Sequence, residues 1–301
     1  MANDIEQGVE DAVIADQLIT GLELEITDDT ARSYTNSVGD ERFDAFQAQV
    51  LLTNGMRIAP NMIFDRELGT RLVGPTQAFA LHAKQEFRFR KPLEIGSTYQ
   101  MRGRMSEVYS KRDVDYVELV SHCHEIGNSS EWNIESVYTR AVGFSKQVSD
   151  RRSNRPSLPL SSWFETVGAE HGVGFPAVGS VVHGPVRVFD QTLVNLYSGP
   201  RSSFHTDANE ARKSGLSGTE IQGLMATQLE TELYRDIFGL RFFEIGDISV
   251  SYIAPIPVAS ALQAYCVVEE HGIAGTRLRS AVVTSSGDVV TVGRASCGIV
   301  N

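Results

Sequence analysis

Three pairs of matching residues stand at one spacing in this 301-residue chain. Tyr34-Thr35 in RSYTNSVGD matches Tyr197-Ser198 in NLYSGP, Met62 in APNMI matches Met225 in QGLMA, and Pro92 in PLEIG matches Pro255 in PIPVA; the members of each pair are 163 residues apart. A single match is cheap. Three in the same order at one offset mark an internal duplication, so the chain is expected to fold as two similar units. Residues 145–162, SKQVSDRRSNRPSLPLSS, are polar, hold two prolines and lack helical or strand periodicity, which reads as a joining segment. The boundaries expected are a first unit over 1–150, a connector over 151–175 and a second unit over 176–301.

Each unit has the same coarse order. A segment carrying the Tyr leads to a loop, then to one apolar helix, then to long strands. In GTEIQGLMATQLETELYRDIFG, residues Ile221, Leu224, Met225, Gln228, Leu229 and Leu233 recur near helical spacing, and Gly239 can end the helix. The segments TRLRSAVVTSSG and DVVTVGRASCGIV in the second unit, and VDYVELVSHCHEIG and WNIESVYTRAVGFS in the first, are rich in β-branched residues and partly alternate. The pattern is α+β, a helix followed by an antiparallel meander that can wrap around it.

Composition removes several functions. The net charge of −11 argues against a nucleic-acid surface, which concentrates positive charge. No run approaches the roughly 18 apolar residues of a membrane span. The beginning, MANDIEQGVEDAV, is acidic and has neither a secretory nor a transit pattern. Cys123, Cys266 and Cys297 are scattered, as expected of buried thiols in a reducing compartment, and a cytoplasmic location follows as the expectation.

The duplicated helix-and-meander pattern resembles the hot-dog fold, and two such units in one chain resemble the double hot-dog of MaoC-like (R)-specific enoyl-CoA hydratases and dehydratases. The likeness is most specific in RVFDQTLVNLYSGPRSSFHTDANEARKSGLSGTEIQGLM, residues 187–225. Tyr197, Gly199, His205, Asp207, Ala211 and Gly215 keep the spacing of the family's aromatic-x-Gly-Asp-x-Asn-Pro-x-His loop. Three residues depart from it: Pro200 stands at the catalytic Asp, Ser202 at the Asn and Gln222 at the His that opens the helix.

The resemblance implies an enzyme that adds water to, or removes it from, an acyl thioester carried by coenzyme A or a carrier protein. No cofactor or metal is implied. Such chemistry needs proton-transfer groups and donors for the enolate oxygen. His205 is the remaining titratable group of the loop, and Asp207 is its candidate partner, on the same side if 205–207 is extended; the competing reading of Asp207 is a helix N-cap. Backbone N–H groups around Gly223 are the candidate oxyanion donors, because glycine permits close approach at a positive helix end. Tyr197 and Gln222 are candidate substrate contacts, and Arg212 and Lys213 face either coenzyme A phosphates or solvent. Asp40, after Gly39, echoes the family's Gly-Asp and reads as a turn residue. His82 reads as structural or at a pocket edge, and His122 and His124 as one face of a strand.

Pro200 cannot transfer a proton. The expectations are therefore hydratase-type chemistry with an altered loop, or a diverged reaction such as isomerisation, cyclisation or thioester hydrolysis, or acyl binding without turnover. The working pocket is expected between the units, with Asn61 to Phe64 on its acyl side. A double hot-dog already pairs two units, so both monomer and homodimer are compatible with the pattern.

Overall fold

The computed structural model describes residues 21–72, 81–112, 114–127, 131–142, 176–273 and 275–298. The connector expected over 151–175 lies outside these residues. In the first unit, β1 (Leu22–Glu25) leads through α1 (Asp28–Val38) and α2 (Phe43–Asn54) to β2 (Ile58–Ala59) and α3 (Ile63–Leu72). Strands β3 (Leu81–Phe89), β4 (Leu93–Glu94), β5 (Thr98–Lys111), β6 (Val114–Glu125) and β7 (Ile134–Val142) follow. The second unit begins with β8 (Val181–His183) and β9 (Arg187–Val188), then α4 (Gln191–Ser198), α5 (Ala208–Lys213), α6 (Gly223–Phe238) and α7 (Arg241–Ile245). It closes with β10 (Gly246–Tyr252), β11 (Ala261–Gly272), β12 (Gly275–Thr284) and β13 (Val289–Cys297).

The Tyr-bearing segments are helical, a feature the sequence pattern did not disclose. Both start on polar caps at equivalent positions. Thr27 forms a capping box with Thr30, and the Asp190 side chain accepts from Leu193 N at 2.9 Å. Helix α6 has no polar side-chain cap, is buried continuously from Leu224 to Arg235, and ends at Gly239, where φ is +63°. It packs against β11, β12 and β13. All-round burial is what a helix wrapped by its own sheet requires.

Both units contribute to one antiparallel sheet, in the order β1-β5-β6-β7-β3-β10-β13-β12-β11-β8, with β9 also on β11. The units meet at β3 and β10. There Glu86 pairs with Ser249, Lys84 with Ser251 and Arg88 with Asp247. Glu86 and Ser249 are themselves 163 positions apart, so the duplication offset and the strand register place a local twofold on this pair. Joining the units here gives each edge strand a covalently tethered partner.

The twofold also explains the core. Tyr34 and Tyr197, both buried, meet with ring centroids 6.1 Å apart. Cys123, Cys266 and Cys297 are buried free thiols. Among the described residues, no helix is long and apolar enough to cross a membrane, and no group of three or more His, Cys, Asp or Glu is placed to hold a metal.

Candidate active site

The loop between α4 and α5 leaves its helix at Gly199, bends through Pro200 and Arg201, and turns over Phe204 to Thr206. His205 is held by that turn: its N–H donates to Ser203 Oγ, and its ring stacks at 4.0 Å from Phe204. Its Nδ1 lies 2.8 Å from the Glu220 carbonyl oxygen. A carbonyl only accepts, so Nδ1 carries the proton and Nε2 keeps its lone pair. Burial pushes the imidazole down to about 4, against the smaller upward pull of the Glu220 carbonyl. At neutral pH this histidine is uncharged, a proton acceptor.

Asp207 does something else. His205 and Thr206 lie in a turn, and the extended Asp207 after them caps α5, accepting from Asn209 N at 2.7 Å and Glu210 N at 3.4 Å. Those N–H groups lower its pKa, and Ser202 Oγ donates to its other oxygen at 3.3 Å. No hydrogen bond joins it to His205. Arg212 and Lys213 are exposed on α5 and are engaged locally, by Asn209 at 2.7 Å and Glu210 at 2.6 Å. Gln222 is the residue before α6, and its Nε2 donates to Ser198 Oγ at 2.9 Å, tying the helix start to the end of α4.

Gly223 opens α6 directly against an aromatic ring. A Cβ there would lie 2.6 Å from Tyr252 Cε1, so only glycine fits without displacing the ring. The Tyr252 hydroxyl is fixed 2.8 Å from Thr227 Oγ1, one turn into the same helix. Tyr252 in turn packs 4.3 Å from the ring of His82, which lies 4.2 Å from Tyr138. His82 belongs to the first unit. Burial pushes its imidazole down to about 3, against the smaller upward pull of hydrogen bonds with Gln85 and Lys84.

Buried side-chain polar atoms without a hydrogen-bond partner gather on this side of the twofold. They include His82 Nε2, Gln85 Oε1, Tyr197 Oη, Glu220 Oε2 and two nitrogens of Arg66. Arg66 stands 6.0 Å from the ring centres of both Tyr34 and Tyr197. Buried polar groups are nearly always paired, so a cluster of unpaired ones points to a surface that receives a ligand. Behind them Asp65 of α3 is buried, with Oδ2 accepting from Ser136 Oγ at 3.0 Å, while Gln85 Nε2 donates to Ser136 Oγ at 2.7 Å.

Part of the stretch Asn61 to Phe64, expected on the acyl side, lines a different space. Pro60, Asn61 and Met62 line a cavity of about 10 Å3 with Phe43, Phe89, Gln228 and Arg235. Subtracting the 163 offset turns Gly223 into Pro60 and Tyr252 into Phe89, so this small cavity is the twofold twin of the His205 region. Asp40 is part of the twin: it is buried in an ion pair with Arg235, not exposed in a turn.

His205, Tyr197, Gln222 and Gly223 are candidates because they lie on one stretch of sequence. His82, expected to be structural or at a pocket edge, packs against Tyr252, and Asp65 and Glu220 are not among the candidates. No local signal could have found Asp65, whose hydrogen-bond partner Ser136 lies 71 positions away.

The architecture is that of a double hot-dog, the fold of MaoC-like dehydratases. One MaoC-like dehydratase superposes with a TM-score of 0.70 at 10% identity, covering 94% of this chain and 99% of its own. A MaoC domain protein dehydratase from Chloroflexus aurantiacus J-10-fl gives 0.67 at 15% identity over 93% and 94% of the two chains. A Mycobacterium tuberculosis protein described as having a double hot-dog fold gives 0.61 at 15% identity over 95% and 98%. No protein-family model and no curated protein sequence matches the chain.

Proposed function

We propose that this protein is an enzyme of acyl thioesters, carried by coenzyme A or an acyl-carrier protein, that adds or removes water across the α,β bond. The observation that carries this reading is His205: its Nδ1–H is committed to the Glu220 carbonyl 2.8 Å away, which leaves Nε2 as a lone-pair acceptor beside the uncapped start of α6. In hydration, Nε2 takes a proton from water as the water oxygen bonds to C3. The C2=C3 electrons move toward the thioester oxygen, which accepts from N–H groups at the start of α6, and a proton is then delivered to C2. Dehydration runs the same steps backwards. Tyr197 and Gln222 are assigned to substrate contact, and Asp207 to holding the loop. The surface positions of Arg212 and Lys213 suit contact with the carrier's phosphates.

Pro200 sets the expected rate. No carboxylate stands there to stabilise an imidazolium, and a histidine pushed down to about 4 is a weak base at neutral pH. Crotonyl-CoA hydration is therefore expected to be slow. Pro200, Ser202 and Gln222 together favour a second reading, a different proton-transfer reaction of an acyl thioester in the same pocket, such as isomerisation. The test incubates the protein with crotonyl-CoA, longer enoyl-CoAs and 3-hydroxyacyl-CoAs, following enoyl absorbance and product mass. Gain or loss of water supports the first reading, an isomer or other product of unchanged water content the second. Binding with no product removes both and leaves an acyl-binding protein.

A further inference from the structure

The local twofold identifies which residue of the first unit reaches the second unit's site. In the twin cavity, Gln228 of α6 crosses the unit boundary to line a space built around Pro60, and its Oε1 accepts from Tyr34 Oη at 2.9 Å. The equivalents of Gln228 and Tyr34 are Asp65 and Tyr197. Asp65 is thus placed across the boundary from Gly223, with a titratable carboxyl where the twin has an amide. Tyr197 Oη is buried and unpaired.

We propose that Asp65 is the carboxyl group of the acyl site, a proton-transfer group supplied by the first unit in place of the acid missing at position 200. This rests on the acyl-thioester reading above. Asp65 accepts from Ser136 on β7, which in turn accepts from Gln85 on β3; Tyr138 on β7, Cys123 on β6, Tyr197 on α4 and Tyr252 on β10 feel its charge, and Arg66 follows it on α3. Its charge acts on the three tyrosines, whose pKa values are raised chiefly by burial. Burial pushes its own carboxyl up to about 7, and the Ser136 hydroxyl pulls it down in part. Only Oδ2 is engaged, by Ser136.

Glu220 is the other buried carboxyl of this region, pushed up to about 7 by burial. Its twofold equivalent is Arg57, which lines no part of the twin cavity and pairs with Asp28 at the surface. The symmetry therefore selects Asp65. In hydration, protonated Asp65 gives its proton to C2 while His205 Nε2 takes one from the attacking water. The product has gained the H and OH of one water, and the proton on His205 returns to the Asp65 carboxylate through solvent.

The experiment reads Asp65 twice in the full-length chain. First, the 13C carboxyl resonance of Asp65 is titrated with and without butyryl-CoA, a saturated probe that can be neither hydrated nor dehydrated. A resonance that moves when butyryl-CoA binds is expected; one that butyryl-CoA leaves in place overturns the proposal. Second, Asp65→Asn, which keeps the shape of the protonated acid, is expected to lower kcat by about 10²–10⁴-fold on the thioester that wild type converts, with KM little changed. Ser136→Ala, which removes a donor to the carboxylate, should move the alkaline limb of the rate profile upward. Full activity in Asp65→Asn overturns the assignment. If wild type converts no acyl thioester, the proposed reaction fails, while a resonance moved by butyryl-CoA still supports Asp65 as part of the acyl pocket.

Discussion

The two regions related by the local twofold, the small cavity at Pro60 and the His205 side, share a backbone plan and differ in what fills them. On the first unit's side, Phe43, Phe89, Phe242 and Phe243 close around Arg235, whose guanidinium pairs with buried Asp40 and lies 5.7 Å from the Phe43 ring and 5.5 Å from Phe46. Gln228 is satisfied by Tyr34, Thr231 and Asp40. On the other side, His205 replaces Arg42, Tyr252 replaces Phe89, Asp65 replaces Gln228 and Gly223 replaces Pro60. The last exchange is the most telling. Pro60, three residues ahead of α3, has no N–H to offer, whereas Gly223 opens α6 with one and lacks the side chain that would block it.

The lesson is physical. Filling a cavity with aromatic rings and paired charges leaves no polar atom in need of a partner, and breaking such a buried pair would be costly. Leaving Tyr197 Oη, His82 Nε2 and Gln85 Oε1 unpaired carries a desolvation cost that packing elsewhere must offset. Violations of this kind gather at functional sites. The cavity at Pro60 is closed by packing and paired charges, whereas the His205 side gathers unpaired polar atoms from both units.

The largest expected difference between the twins is at the histidine. His205→Ala should lower turnover by about 10²–10⁴-fold, the usual range for an acid–base group. Arg42→Ala, at the equivalent position, removes only partly exposed ion pairs to Glu232 and Asp236 and should leave turnover nearly intact, as such pairs contribute about 1 kcal/mol or less. Equal losses in steady-state assays of the two variants would break the comparison.

Next comes Glu230 on α6, buried against the sheet, where it accepts from Ser280 at 2.6 Å and from Thr291 at 3.3 Å. Burial raises its pKa from 4.5 to about 7. Its contribution to stability is fully present below about pH 4.5 and is lost as pH rises through 7. Glu230→Gln cannot ionise, so it should be more stable than wild type at pH 8 by up to about 3 kcal/mol, and the advantage should shrink toward pH 5. Urea unfolding at the two pH values reads this directly. An advantage that is the same at both would remove the buried-acid interpretation.

Gly223→Ala should follow in size. The new Cβ meets the Tyr252 ring at 2.6 Å, and because the Tyr252 hydroxyl is tied to Thr227 the ring cannot swing away freely. A loss of about 1–3 kcal/mol is expected, as for overpacked cores. The matching change Pro60→Ala should cost only the backbone entropy that proline restricts, about 0.4–1 kcal/mol. Thermal denaturation of the pair distinguishes the two positions. The smallest effect should be that of Asp207→Asn, which keeps an oxygen able to cap α5 and should leave turnover close to wild type. A large loss there would return Asp207 to the proton-transfer chemistry.

Much of the fold was legible in the sequence because duplication writes the same tertiary contacts twice. Tyr34 and Tyr197, separated by 163 positions, reveal the offset and in the structure touch each other. Gly239 ends the helix where the pattern placed its end. The helical nature of the Tyr-bearing segments was missed, since residues 191–198 are short and their cap, Asp190, reads equally as a turn residue. The site divides in the same way. His205 and Gly223 lie on one loop and helix, so spacing finds them. Asp65 and His82 reach the site only because β3 and β10 pair and α3 lies across the unit boundary. Asp40 looked like a turn residue because Arg235 stands 195 positions away. Long-range pairing of that kind leaves no period to read.

The acyl thioester is expected on the His205 side of the twofold and not in the twin cavity at Pro60. A crystal of the protein soaked with butyryl-CoA tests it most directly. The account predicts one acyl chain per protein, with its thioester oxygen at the start of α6, its C2 and C3 beside His205 and Asp65, and the space between Pro60, Phe89 and Arg235 empty. An acyl chain seated among those three residues, or on both sides equally, would contradict it.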